Sequence, residues 1–530
     1  MTYAADPRTD AGLVHTYRLA HWAGRTPERT CARFPAHGDE HWTWARADAE
    51  ASRAAHLLRR LGVGRGDAVA LFHEAAPDHL RFMLGALRLG AVAAPVNDAY
   101  RGEVLRHALD LCGARVALCS AAFLERIAAL ELASLRTLVV AGDAPAALVE
   151  SLRERFEIVP AAAAADMPAS APEVEPIHFW DPYCAVFTSG TTGPSKAALS
   201  PYAQIHAVVE HNLLRWLGPD DVYLIDSPMF HVSGLLSLYV MLCTGGQMVF
   251  YPKFSSAQYW ERVRKHRATA GTIMMLEFLW KQPPRPDDAD NTLRWVLTGM
   301  LPPYLEDWRA RFGVDTVFTF FNMSEISAPL QTGPNPANHR SAGRVRPGAQ
   351  VRIVDEHDVE VPAGTVGELV VRTDRPWEIC IGYLGNPQAT ADAWRNGWFH
   401  TGDAFWRDAE GWYYFVDRLK DSIKRRGENV SSFEVEQAIA AHPAVLECAV
   451  VAAPGEIAGD QEVRAVIALH PGATLAAAEL TTFLEPRLPR FMLPRYIDFV
   501  AALPRNQSTK VLKNALRAQG IGPGTWDRER

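Results

Sequence analysis

Between about residues 40 and 150 the chain alternates helix-period stretches with short apolar runs, and this alternation constrains the fold more than any other feature. "WTWARADAEASRAAHLLRRLGV" carries apolar residues at helical spacing and is followed by "DAVALFH", which reads as a short buried strand. "HLRFMLGALRLG" then reads as a second helix and "AVAAPVN" as a second strand. A helix with one apolar stripe must cover something, and a strand apolar along its whole length must be covered on both faces. Helix and strand in turn therefore predict parallel βαβ units. At 530 residues the chain exceeds what one core can serve, so two or more domains are expected.

Elsewhere the texture differs. "AAAAADMPASAPEVEP" (Ala161–Pro176) is rich in Ala and Pro and is expected to be a surface linker within the first domain. Ser227–Pro252 carries no Lys, Arg, Asp or Glu, yet its apolar pieces are too short for a membrane span, which needs about 20 apolar residues. It reads as a core helix, Leu235–Leu242, then a Gly-Gly turn and a buried strand, Met248–Tyr251. After Pro347, "AQVRIVDEHDVEVPAGTVGELVVR" alternates apolar and polar residues between Gly/Pro turns, as an antiparallel meander does. The charged stretch Asp417–Arg426 is the expected boundary of a small α+β unit of about a hundred residues. The expected architecture is a large domain, 1–418, of βαβ-type sheets with a small meander, and a mobile α+β cap, 419–530.

Composition excludes several partner classes. A net charge of −7 argues against a nucleic-acid surface. Seven cysteines with no C-x-x-C pair make neither a disulfide framework nor a zinc site, and are expected to be reduced and mostly buried. The first residues, "MTYAADPRTDAGLVHTY", lack a basic start followed by an apolar run, so a cytoplasmic protein is expected.

One loop is suited to phosphate. "FTSGTTGPSKAALS" packs hydroxyls, two glycines and a lysine into Thr188–Lys196. Gly190 and Gly193 let backbone N–H groups turn toward an oxyanion, Thr188, Ser189, Thr191 and Thr192 add short donors, and Lys196 adds a point charge. The pattern G-x-x-x-x-G-K-[ST] fails, because Ser195 occupies the second Gly position and Ala197 follows the lysine. A Walker-type loop is excluded.

Taken with four further motifs in order, "SPMFHVSG", "TFFNMSEIS", "WFHTGD" with "DRLKD", and "PRNQSTKVLK", the chain resembles the adenylate-forming superfamily of acyl-CoA synthetases, adenylation domains and luciferases. Within it, the sequence is most similar to ligases of the crotonobetaine/carnitine–CoA type, from about residue 20 to 517.

The resemblance implies a role for each motif. Thr188–Lys196 closes over the β- and γ-phosphates of ATP and steers pyrophosphate as a leaving group; Ala197 and Pro201 stand where relatives usually have Gly and His. Phe230 and His231 line the acyl pocket, together with Gly299, Met300 and Met323, while Thr298 and Gly299 also meet adenine. Phe321 replaces a tyrosine and stacks on adenine; Asn322 replaces a glycine, and asparagine tolerates left-handed backbone better than most residues. Met323 and Ser324 complete this ATP contact, and Glu325 is the carboxylate that helps hold Mg²⁺. Asp403 accepts from both ribose hydroxyls, Arg418 completes the ribose and phosphate grip, and Lys420 is the hinge of the cap. Lys510 is the catalytic lysine reaching the α-phosphate, with Lys513 and Arg505 as alternatives, and Thr509 stands where relatives have Gly. After the cap turns, Lys424, Gly427, Glu428 and Asn429 shape the tunnel for the pantetheine arm of CoA, with Arg426 at a position that is often Gly.

The implied activity is attack of a carboxylate on the α-phosphate of ATP, giving an acyl-adenylate, followed by transfer of the acyl group to CoA. ATP and Mg²⁺ are the implied cofactors, CoA the second substrate, and an apolar acyl or aryl acid the first, as "PMFHVSGLLSLY" suggests. No nucleic acid and no membrane span are expected, and a homodimer is allowed. Other outcomes of the same adenylation chemistry stay open: amide formation, carrier-protein loading, or nitrite activation toward an aryl amine in a natural-product pathway. So do a luciferase-like oxygenase and a non-catalytic nucleotide-binding protein.

Overall fold

The protein is described by a computed structural model over residues 9–188, 195–418, 421, 423–425, 428–455, 461–488, 490–505 and 510–529, with backbone alone at 424, 428 and 429. The alternating stretch folds as its periodicity requires: helix Trp44–Arg60, strand Ala68–Phe72, helix Pro77–Arg88, strand Val92–Pro95, helix Gly102–Cys112, strand Val116–Ser120. Local chemistry sets the ends. Thr43 caps the first helix by accepting from the Arg46 amide, Arg59 and Arg60 close its last turn, and Pro77 starts the second.

Among the described residues the chain forms two compact units, one holding 9–188, 195–350 and 372–394, the other 351–371 and 395–529. The first contains two large sheets. An eight-stranded sheet runs, in spatial order, Gly382–Tyr383, Lys196–Pro201, Pro182–Thr188, Val92–Pro95, Ala68–Phe72, Val116–Ser120, Thr137–Ala141 and Glu157–Pro160. Its pairs are parallel except for Lys196–Pro201, which is antiparallel to both neighbours. A seven-stranded sheet runs Thr316–Phe318, Trp295–Thr298, Ala270–Ile273, Val222–Ile225, Gln247–Phe250, Thr30–Phe34 and Glu40–Thr43, parallel up to the last, antiparallel edge strand. Burial follows the sequence pattern: strand residues such as Val69–Phe72 and Val116–Cys119 are almost fully enclosed.

Two local expectations need correction. Ala161–Asp166 is not surface linker but a 3₁₀ helix, and Ala161 and Ala164 are buried against the main core, because alanine's small apolar side chain packs where a polar linker would not. The expected core helix Leu235–Leu242 extends over Val232–Thr244, started by His231 and ended by Gly245 at φ 75°, and the strand after it is Gln247–Phe250. Among the described residues no helix is long and apolar enough to cross a membrane. All seven cysteines are free, six of them buried.

In the second unit, Gly367–Thr373 pairs antiparallel with Trp398–Arg407, which pairs with Tyr413–Arg418, giving the expected meander. Ile423–Arg425 and Glu428–Val430 pair as a short hairpin. Beyond them helix Ser432–Ala440 and helix Ala477–Leu484 pack with strands Val445–Pro454, Gln461–Leu469 and Tyr496–Phe499 around Val435, Ile439, Val450, Val463, Leu480 and Leu484.

Candidate active site

Four neighbouring parallel strands of the seven-stranded sheet, Val222–Ile225, Ala270–Ile273, Trp295–Thr298 and Thr316–Phe318, end at one edge. Ligands of open parallel sheets bind at the carboxyl ends of the strands. The expected segments Ser227–Gly234, Leu297–Met300 and Thr319–Ser327 all leave from this edge. The Thr319 hydroxyl donates to the Thr298 carbonyl at 2.7 Å, tying two of them together.

The stretch holding Glu325 is pinned from several sides. Gln204 Nε2 donates to the carbonyls of Ser324 (3.0 Å) and Ile326 (3.2 Å). Arg346, fully buried, donates to the Ser327 carbonyl and hydroxyl and pairs with the equally buried Glu378 at 3.0 Å. Asn322 does not adopt the left-handed backbone expected for a residue standing in for glycine. Its Oδ1 accepts the Ala328 amide at 2.8 Å, and the left-handed position is Ala328 itself, at φ 45°. Glu325 is buried, and the Tyr383 hydroxyl donates to its Oε1 at 2.9 Å.

Thr188 and Lys196 are not free loop residues but facing partners of an antiparallel ladder, with the Thr188 hydroxyl donating to the Lys196 carbonyl at 3.3 Å. They hold the two ends of the glycine- and hydroxyl-rich segment in register. The Lys196 ammonium lies over the Tyr383 ring, 4.7 Å from its centroid. Ser189, Gly190, Thr191, Thr192 and Gly193 lie outside the described residues.

Phe230 is partly buried, and His231 is exposed at the start of its helix, its Nδ1 accepting from the Ser233 amide at 3.3 Å. The protein atoms around the imidazole hold its pKa below the usual histidine range. Met300 is half-exposed, as are Met274, Met275 and Phe278, and Phe321 and Met323 are partly buried. A Cβ on Gly299 would stand 3.0 Å from the Met274 carbonyl and 2.9 Å from its Cε, so only glycine lets the two loops meet there.

In the second unit Asp403 and Arg418 face each other across an antiparallel pair, Nε to Oδ1 3.8 Å. Glu368 Oε1 accepts the Gly402 amide at 2.9 Å, which fixes the turn before Asp403. Lys510 is partly exposed and directly precedes Val511, which bridges Arg505. The alternatives to Lys510 are engaged locally: Arg505 pairs with Glu447, and Lys513 with Glu436. The hinge candidate Lys420, the neighbouring Arg426 and Gly427, and Thr509 lie outside the described residues, as do the side chains of Lys424, Glu428 and Asn429.

With this geometry in hand, the comparisons are specific. A family model described as "AMP-binding enzyme" matches residues 19–384, and one described as "AMP-binding enzyme C-terminal domain" matches residues 434–510. The chain belongs to the AMP-binding enzyme family. Its match to the crotonobetaine/carnitine–CoA ligase of Escherichia coli is 31% identical over 500 residues, 90% of this chain and 93% of the relative. Among solved structures, the o-succinylbenzoate–CoA synthetase of Bacillus subtilis with AMP shares 25% identity at a TM-score of 0.80, covering 95% of this chain and 98% of that one. An anthranilate–CoA ligase in complex with anthranoyl-AMP shares the fold, at a TM-score of 0.83 and 23% identity, over 95% of this chain and 96% of that one. This AMP-binding enzyme is an AMP-forming ligase.

Sequence reasoning did not find Tyr383, Gln204 or Arg346. Gln204 left a signal, a polar side chain, with His206, inside the mostly apolar "YAQIHAVV". Arg346, in "GRVRPGA", and Tyr383, in "IGYLGN", read locally as turn residues.

Proposed function

We propose that this AMP-binding enzyme activates a carboxylic acid with ATP to an acyl-adenylate and then passes the acyl group to CoA. The observation that carries the reading is Glu325: one buried carboxylate, braced by Tyr383 and by a loop that Gln204 and Arg346 hold, at the carboxyl edge of a parallel sheet. Among the described residues no three His, Cys, Asp or Glu side chains form a metal cage. A lone carboxylate fits Mg²⁺, which keeps its water and phosphate ligands and needs only one or two from protein. Bound there, Mg²⁺ supplies charge neutralisation at the phosphates.

The chain's own residues divide the remaining work. Thr188, the loop 189–193 and Lys196 grip the β- and γ-phosphates. Thr298, Gly299 and the stretch Phe321–Met323 seat the adenine, the Ser324 hydroxyl meets phosphate, and Asp403 with Arg418 takes the ribose. Lys510 stabilises charge at the α-phosphate during attack. In this reading residues 1–418 act as the adenylation domain. Residues 419–530 turn about Lys420 to bring Lys424, Gly427, Glu428 and Asn429 to the site for CoA. The acid is apolar or aryl: Phe230, His231 and Met323 line its pocket, and Met274, which meets Gly299, and its chain neighbours Met275 and Phe278 leave 48–50% of their surface exposed, as Met300 does at 46%. The cytoplasm is the proposed location, consistent with seven free thiols, and a homodimer the proposed assembly, tested by light scattering.

The deciding experiment is pyrophosphate release across a panel of aliphatic and aryl acids, with and without CoA. Acid-dependent release, with thioester only when CoA is present, is the expected result. Complete turnover without CoA would sink the second half of the reading.

A further inference from the structure

Tyr383 lies at the junction of two charged groups that the sequence places far apart. Its hydroxyl donates to Glu325 Oε1 at 2.9 Å, and its ring face receives the Lys196 ammonium 4.7 Å from the centroid. A phenol that donates to a carboxylate gains electron density on its ring, which strengthens the ring's hold on a cation, so the two contacts support each other.

The position of the ring is set by backbone. Tyr383 pairs with Ala198 and Gly382 with Leu199 at the edge of the eight-stranded sheet, two residues along from Lys196 itself. The Tyr383 amide donates to Thr390 Oγ1 at 2.9 Å, and the Asn386 side chain caps the helix Pro387–Ala393 that carries Thr390. Gly382 has φ 153° and lies where a Cβ would stand 2.8 Å from Thr390 Cγ2, so glycine is needed for the strand to approach that helix.

We propose that Tyr383 is a positioning residue for adenylation, its hydroxyl orienting the Glu325 carboxylate and its ring holding the Lys196 ammonium, so that one side chain fixes the metal-side and phosphate-side charges relative to each other. This rests on the roles given above to Glu325 and Lys196. Without Tyr383, Glu325 turns among rotamers and Lys196 extends toward solvent, and each must be reordered when nucleotide arrives.

The test separates the two contacts without requiring the acid. Mn²⁺ serves as the probe, its binding followed by electron paramagnetic resonance in the presence of α,β-methylene-ATP. Tyr383→Phe keeps the ring and removes the hydroxyl. It should weaken Mn²⁺ binding to the enzyme–nucleotide complex roughly 10-fold, as loss of a hydrogen bond to a charged group does, and leave metal-free nucleotide affinity within about 2-fold. Tyr383→Leu removes both contacts and should also weaken metal-free nucleotide binding, by about 5-fold, the size of one exposed cation–π contact. In a Glu325→Gln background Tyr383→Phe should add no further loss. Wild-type Mn²⁺ affinity in Tyr383→Phe, or an undiminished loss in the Glu325→Gln background, overturns the proposal for the hydroxyl. Equal metal-free affinities for Phe and Leu overturn it for the ring. A wild-type enzyme that binds Mn²⁺ and nucleotide normally but releases no pyrophosphate with any acid would instead overturn the proposed reaction.

Discussion

The Lys513 ammonium stands 2.8 Å from Glu436 Oε1 and 2.6 Å from Ser432 Oγ. Glu436 also accepts the Val450 amide at 2.7 Å, and burial raises its pKa against the opposing pull of Lys513. Lys513 therefore braces helix Ser432–Ala440 inside the second unit. Lys513→Ala strips a mostly buried carboxylate of its cation and should lower the unfolding free energy by about 1.5–3 kcal/mol. Thermal melts should show the loss, with both half-reactions reduced alike at elevated temperature.

Lys510→Ala should behave differently. A charge-assisted contact made only in the adenylation transition state is worth about 10²–10³-fold in rate. Adenylation should fall by that amount, and thioester formation from supplied acyl-adenylate should hardly change. A selective adenylation defect in Lys513→Ala instead would transfer the role to Lys513.

Glu325→Gln preserves shape and removes charge. The expected outcome is a large rise in the Mg²⁺ concentration needed for half-maximal pyrophosphate release, because a neutral amide is a poor ligand for a hard cation. Rates measured across a Mg²⁺ titration check it, and a wild-type titration curve would remove Glu325 from the metal site.

What the sequence disclosed and what it hid follow from the range of the interactions. Trp44–Arg60 and Ala68–Phe72 were legible because helix and strand periods are written within one element. Glu325 and Asp403 could be proposed from sequence because each lies in a short motif with its neighbours. Tyr383 was not, since its value comes from pairing with Ala198 and from reaching Glu325, and neither partner is near it in the chain. Ala161–Asp166 misled because low-complexity alanine is equally good linker and core.

Arg346 and Glu378 have fully buried side chains 3.0 Å apart, and Arg346 also donates to Ser327. Glu378 also faces Arg375 at 3.7 Å, so Arg346→Met leaves the buried carboxylate with the more distant of its two cations and should cost about 3 kcal/mol, the lower end for a broken buried pair. Arg346→Met with Glu378→Leu should recover part of that loss, because the buried carboxylate goes with its main cation while Arg375 keeps Glu210 at 2.8 Å. Denaturant melts of the single and double variants provide the measurement, and a double variant no more stable than the single would contradict the pairing.

Asp226 gives the enzyme a pH-dependent stability. The residue follows strand Val222–Ile225, is 2% exposed, and its Oδ2 has no hydrogen-bond partner. Burial pushes its pKa up to about 7, opposed by the more distant Arg262. The folded state therefore holds this proton more tightly than the unfolded chain, whose aspartate titrates near pH 4. Below about pH 4 both states are protonated and nothing is lost. As pH rises toward 7 the unfolded chain gives up the proton first, so stability must fall across this window and level off above it. A shift of about 3 pH units corresponds to a total on the order of 4 kcal/mol. Asp226→Asn cannot ionise, so its melting temperature should decline less than wild type between pH 4.5 and about 7.5. Matched thermal melts at half-unit steps measure the difference, and parallel curves for the two proteins would show that Asp226 ionises in the folded state as readily as in the unfolded one.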